Sequence, residues 1–156
     1  TDEAHRRREL TFVFIGAGYA GVEALAELAD LVRDALRFYP SLRQTPQRWV
    51  LADAAPKILP EIPKRLGEYA ARQLVKRGVE IHVETTLESV EAGAATLSNG
   101  DRIPTHTLVW TAGVRPSPEL PRFGLPLDAR WDPSRAPRHP IAGRVAAGQL
   151  VSETLR

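Results

Sequence analysis

A chain of 156 residues with 43% hydrophobic and 26% charged residues suits one soluble globular domain with a sizeable core. Its 21 basic and 19 acidic residues leave a net charge of +2, so the isoelectric point near 9.3 reflects a small excess and gives no footprint for nucleic acid. The lack of cysteine excludes disulfides, thiolate metal sites and dithiol redox chemistry within the chain, and no apolar run reaches the roughly 18 residues of a membrane-spanning helix.

Residues 1–9 form a polar lead without the basic, apolar, small-residue order of a signal peptide. The lead holds one dense basic cluster, His5-Arg6-Arg7-Arg8, which reads as a solvated end rather than a binding patch. With no initiator methionine ahead of it, the chain is expected to be a piece of a longer protein.

The apolar run Leu10-Thr11-Phe12-Val13-Phe14-Ile15 reads as a buried strand, and Gly16-Ala17-Gly18-Tyr19-Ala20-Gly21 follows at once. This G-x-G-x-x-G spacing sits where a dinucleotide fingerprint requires it, between a strand and a helix. Gly16 permits the sharp turn, Gly18 lets the backbone approach a pyrophosphate, and Gly21 lets helix and strand pack closely. The amide groups of the helix N-terminus then face the phosphates. Standing alone, such a motif is as readily a plain glycine turn, and it is the flanking elements that favour a ligand.

The first helix is expected from Tyr19 to about Phe38, because Val22, Leu25, Leu28, Ala29, Val32 and Leu36 share one face. The opposite face is charged, with Asp30 and Arg33, and Asp34 and Arg37, as neighbouring pairs. Prolines 40 and 46 break the helix before a second buried strand, Arg48–Ala52, which ends at Asp53. Pro60-Glu61-Ile62-Pro63 introduces a second helix with Leu66, Tyr69, Ala70 and Leu74 as its apolar stripe, stopped by Lys76-Arg77-Gly78. The strand Val79–Val83 comes next. Strand, helix, strand, helix, strand predicts a parallel α/β sheet of the Rossmann kind with right-handed crossovers.

Short alternating stretches around Leu87–Val90 and Ala94–Leu97, with turns at Glu91-Ala92-Gly93 and Asn99-Gly100, predict a small antiparallel β-meander laid on the main sheet. A last buried strand, Thr107–Trp110, leads into Thr111-Ala112-Gly113. From about Ala129 onward, prolines 133, 137 and 140 interrupt the chain and no period persists, so residues 129–156 read as an irregular tail with a late element between Ala142 and Leu155. No internal repeat is present.

Asp53 stands at the end of the second strand, where a Rossmann site uses an acidic side chain to accept hydrogen bonds from the adenosine ribose. It lies farther from the glycines than the usual spacing of about 20 residues, the excess being taken up by the long helix and the proline loop. The alternative is that Asp53 merely caps a turn before Ala54-Ala55-Pro56. A carboxylate there repels a 2′-phosphate and so favours NAD(H) over its phosphorylated form, although Lys57 brings a compensating charge nearby. Gly113 either brings bare backbone beside a dinucleotide at the carboxyl edge of the sheet or turns the chain ahead of Val114, and both readings stay open.

Gly16-Ala17-Gly18-Tyr19-Ala20-Gly21-Val22-Glu23, Asp53-Ala54-Ala55-Pro56-Lys57-Ile58-Leu59-Pro60, Asn99-Gly100 and Val109-Trp110-Thr111-Ala112-Gly113-Val114-Arg115-Pro116, in this order, resemble the NADH-binding domain of type II NADH dehydrogenases. These belong to the broader class of flavoproteins with two dinucleotide-binding domains. The resemblance covers about Leu10 to Asp128, which sets the expected domain at residues 10–128. It implies that Gly16, Gly18 and Gly21 hold the pyrophosphate, that Asp53 holds the ribose, and that Ala112 and Gly113 line the dinucleotide. Tyr19 and Glu23 match positions near the nicotinamide end, where Tyr19 is a ring that gives way to nicotinamide and Glu23 contacts the carboxamide or a basic partner. A helix acid in the first turn is an equally good structural reading of Glu23.

In that family NADH passes hydride to FAD, which reduces a quinone, so no acid, base or nucleophile of this chain need be catalytic and no metal site is read. The resemblance places a flavin fingerprint upstream and a Gly-Asp element downstream, and this sequence contains neither. The tail departs from the family's return to the flavin domain, as an altered or frame-disturbed segment would. We therefore expect the NAD(H)-binding portion of an FAD-dependent NADH:quinone-type oxidoreductase that holds no FAD and reduces no quinone by itself. Two other readings remain: a non-catalytic nucleotide-binding remnant, and a related flavin-dependent reductase with another electron acceptor. The chain is expected in the cytoplasm, its parent being peripheral on the cytoplasmic face of the membrane and attached there through parts that lie outside this sequence.

Overall fold

The computed structural model describes residues 2–113 and Phe123. The expected tail at 129–156, its late element and the domain limit at Asp128 lie outside the described residues. Within them the order is α1 (Glu3–Glu9), β1 (Thr11–Ile15), α2 (Tyr19–Ala35), β2 (Arg48–Ala52), α3 (Lys64–Lys76), β3 (Val79–His82), β4 (Leu87–Glu91), β5 (Ala94–Leu97), β6 (Arg102–Pro104) and β7 (Thr107–Trp110). The polar lead is thus a short helix: Asp2 caps it by accepting from the Ala4 amide, and Glu3 pairs with Arg7 one turn on.

β1, β2, β3 and β7 form one parallel sheet in the order β3-β2-β1-β7. Its two central strands are buried along nearly their whole length because both faces are covered. Phe12 and Phe14 face one way, into a core with Trp49, Leu51, Leu25 of α2 and Leu74 of α3. Val13 and Ile15 face the other way, against Val50, Ala52, Ala95, Leu97 and Ile103. The second core joins the sheet to the antiparallel meander β4-β5-β6, as the sequence predicted. Phe12 stacks on Trp49 with ring centres 4.2 Å apart, a contact between neighbouring strands that fixes the β1–β2 register.

Three expectations are corrected. The long first helix is α-helical only to Ala35 and continues as a single 3-10 turn over Leu36–Phe38, with a second such turn at Pro40–Leu42. On α3, Leu66 and Tyr69 are 53% and 57% exposed, and the inward positions are Gly67, Ala70, Ala71 and Leu74. Small residues win there because the helix runs close to the preceding loop: a β-carbon on Gly67 would stand 3.3 Å from the Ile58 carbonyl oxygen. Strand β7 is half-buried rather than buried, and Trp110 is 60% exposed, since among the described residues only β1 pairs with it.

The strand order reverses direction at β1. From β1 the chain steps outward through β2 to β3, then returns by way of the meander to place β7 on the other side of β1. Such a switch point opens a crevice at the carboxyl ends of the two diverging strands.

Candidate functional site

The glycine loop leaves β1 at that crevice. Gly16 turns with φ at +108°, a conformation that side-chain-bearing residues rarely adopt, and its amide donates to the Ala52 carbonyl at 2.8 Å. Ala17 is buried and fully used: its amide donates to the Asp53 carboxylate at 2.5 Å, and its carbonyl accepts from the Leu59 amide at 2.7 Å. Gly18 is the N-cap of α2 and carries no side-chain cap, and the first turn contains no acidic residue. The leading amides of α2 are therefore left for an anion. Among the described residues a β-carbon on Gly18 would meet only Glu61 Oε1, at 3.8 Å, an ordinary contact, so this residue is not crowded.

Gly21 works inward. A β-carbon there would lie 1.8 Å from the Gly16 carbonyl oxygen and 2.7 Å from Thr111 Oγ1. The turn and the first turn of α2 can touch only because position 21 has no side chain.

Asp53 joins the same constellation. One carboxylate oxygen takes the Ala17 amide and the other takes the Ala55 amide at 2.7 Å. Backbone bonds from Asp53 to His82 and from Thr85 to Asp53 hold this strand end in place. Capping and ribose recognition, which the sequence left as alternatives, are compatible, because a carboxylate that accepts two amides keeps lone pairs for hydroxyl donors. Lys57 is exposed on the loop that follows.

On the far side of the crevice, Thr111 completes the wall. Its hydroxyl lies 3.0 Å from the Ile15 carbonyl oxygen and 3.1 Å from that of Gly16, and its amide donates to Ile15 at 2.8 Å. Sequence reasoning passed over Thr111 as a site residue; its signal was the position directly after the last strand, facing the glycine turn. Ile58 and Leu59 were missed likewise. Both are buried, and Leu59 ties its loop to the glycine turn through the Ala17 carbonyl.

Gly16, Gly18, Gly21, Asp53 and Thr111 thus meet around one crevice, and Ala112 reaches it too, its amide lying 2.7 Å from where a Gly16 β-carbon would stand. Gly113 has φ at +80°, and a β-carbon there would meet nothing within 4 Å among the described residues. Tyr19, 59% exposed and next to Gly18, and Glu23, also exposed, are one turn apart on α2, and neither side chain joins the contacts described above. Glu23 lies beyond the first turn of the helix, which removes its reading as a first-turn acid.

A glycine-bent strand-to-helix junction on a parallel sheet, with an acidic residue at the next strand end, defines a Rossmann-type dinucleotide-binding fold. Comparison with known proteins specifies it further. Residues 1–132 match the family described as pyridine nucleotide-disulphide oxidoreductase, and the chain belongs to that family. It is 36% identical over 122 residues to the type II NADH:quinone oxidoreductase Ndh of Mycobacterium tuberculosis, covering 75% of this chain and 26% of that protein. It is 34% identical over 125 residues to a mitochondrial internal alternative NAD(P)H-ubiquinone oxidoreductase of Solanum tuberosum, covering 80% of this chain and 25% of that protein. The chain therefore spans about a quarter of the length of these relatives. Among solved structures, NDH2 of Plasmodium falciparum in complex with NADH superposes with a TM-score of 0.68 at 14% identity, over 74% of this chain and 24% of that one, a likeness of fold. Among the described residues, no helix is long and apolar enough to cross a membrane.

Proposed function

We propose that this chain is the NADH-binding portion of an FAD-dependent NADH:quinone-type oxidoreductase. The observation that carries the reading is the room over Gly18, where a β-carbon would make only an ordinary contact with Glu61, beside an uncapped helix N-terminus in a loop whose other backbone groups are already engaged. A pyrophosphate fits that chemistry: it needs amide donors and close backbone approach, and the loop offers both. Gly16 and Gly21 shape the loop, Gly18 and the first turn of α2 receive the diphosphate, and Asp53 accepts from the adenosine ribose. Ala112 and Gly113 line the other side, and Tyr19 and Glu23 serve the nicotinamide end.

When bound, the nicotinamide supplies hydride and the flavin of the whole protein accepts it; this chain orients the donor and shapes the field around it. Asp53 also sets the choice of donor, since its carboxylate repels a 2′-phosphate where it welcomes ribose hydroxyls. The quinone, the flavin and attachment to the cytoplasmic face of a membrane belong to the remainder of such a protein; the similarity to type II NADH:quinone oxidoreductases supports the quinone and the flavin for the parent. Residues 10–128 are proposed as the domain that binds NAD(H).

Calorimetric titration of the purified chain with NADH and with NADPH tests this. We expect binding of NADH, weaker binding of NADPH, and no flavin absorbance in the protein as isolated. No heat with either nucleotide from a chain shown to be folded removes the reading, and tighter NADPH binding removes the role given to Asp53.

A further inference from the structure

Three metal-capable side chains, two from α1 and one about a hundred positions on, meet at the amino edge of the parallel sheet, opposite the glycine loop. His5 and Glu9 lie one turn apart on α1, with His5 Nε2 3.5 Å from Glu9 Oε1. His106, just ahead of β7, brings its Nδ1 to 2.7 Å from the same oxygen. One ligand atom from each of the three lies within 4.8 Å of the other two.

Backbone contacts hold the third donor in place. The His106 amide donates to the Arg8 carbonyl at 3.2 Å, and the Thr105 amide to that of Gly93 at 2.9 Å. The Thr105 hydroxyl donates to the Thr11 carbonyl at 2.6 Å. The far edge of the imidazole rests on Gly93, where a β-carbon would stand 3.2 Å from Nε2, and this leaves Nδ1 turned toward Glu9.

We propose that His5, Glu9 and His106 bind one divalent transition ion of the zinc class, with water at the remaining position. Two imidazole nitrogens and one carboxylate oxygen are a donor set that zinc takes at about 2.0–2.2 Å, which places tetrahedral donors about 3.4 Å apart. The separations of 2.7 and 3.5 Å bracket that value, so small rotations of partly exposed side chains convert the hydrogen-bonded cluster into a coordination sphere. Neutral imidazoles and the Glu9 carboxylate give the site one negative charge. Arg8, beside Glu9, is the opposing charge and limits the affinity. The ion fastens α1 to the segment entering β7 and so stabilises the sheet edge; it takes no part in the dinucleotide reading.

The test is titration of zinc chloride into the metal-stripped, tag-free 156-residue chain by calorimetry, with the thermal midpoint followed with and without EDTA. We expect one zinc per chain, a midpoint that rises with zinc concentration and returns on chelation, and at least about tenfold weaker binding in His5→Ala and in His106→Ala. Circular dichroism of these surface variants establishes that they fold. Absence of both heat and midpoint shift overturns the proposal. So does zinc binding that persists unchanged in the His5→Ala/His106→Ala double variant, which places the ion elsewhere, as at His82.

Discussion

A β-carbon at Gly21 would stand 1.8 Å from the carbonyl oxygen of Gly16, so two glycines five positions apart make the junction between β1 and α2 possible by contact between backbones. Neither partner can yield by rotating a side chain. Gly21→Ala is expected to destabilise the fold by about 3 kcal/mol or more, at the upper end of overpacking effects, read from urea unfolding curves.

Gly18 is expected to behave in the opposite way. Its backbone, at φ −73° and ψ −171°, is open to any residue, and a β-carbon finds only Glu61 at 3.8 Å. Gly18→Ala should change stability by no more than about 1 kcal/mol, the range of an N-cap change, while NADH affinity falls. Calorimetry and unfolding on one preparation separate the two effects, and a variant that binds as the parent does removes Gly18 from the site.

Thr111 bridges the ends of β1 and β7 through its hydroxyl. Thr111→Val keeps the shape and removes the donor, so we expect a loss of about 1 kcal/mol together with weaker NADH binding as the glycine turn loosens. Unchanged binding would confine Thr111 to the sheet alone.

Arg48 and Glu80 supply a pH-dependent tie between β2 and β3, with paired hydrogen bonds of 2.9 and 2.8 Å. Those hydrogen bonds hold the Glu80 carboxyl below its usual range, against the opposing effect of partial burial, and the charge of Arg48 adds to them. A carboxyl depressed in the folded chain stabilises it above the unfolded value and loses that contribution as pH falls through the folded one. Both groups are partly exposed, so Glu80→Gln should cost about 0.2–1 kcal/mol near neutrality. The difference between variant and parent should shrink below about pH 4. A gap that stays constant from pH 7 to 3 contradicts the pairing.

Much of this was legible in the residues. β1 and β2 read correctly because strands covered on both faces are continuous apolar runs, and the meander turns announced themselves at Ala92-Gly93 and Asn99-Gly100, where Ala92, Gly93 and Gly100 take positive φ. Leu66 and Tyr69 misled because apolar spacing marks a face of a helix without saying how near the neighbouring backbone lies. At α3, close approach to the Ile58 carbonyl favours Gly67 and the alanines over bulk. The lead hid a helix because its seven residues, polar except for Ala4, carry no apolar period, and its N-cap and ion pair act without one.

By itself the sequence determined the alternation of strands and helices, the glycine junction and the acidic strand end, because these depend on local backbone freedom and on apolar runs that neighbours in the chain already display. Only the tertiary structure decided that β7 lies beside β1, so that Thr111 packs on Gly16, and that His106 comes within reach of His5 and Glu9. Contacts between residues about a hundred positions apart arise from how a sheet orders its strands, and no local pattern of residue types encodes that order.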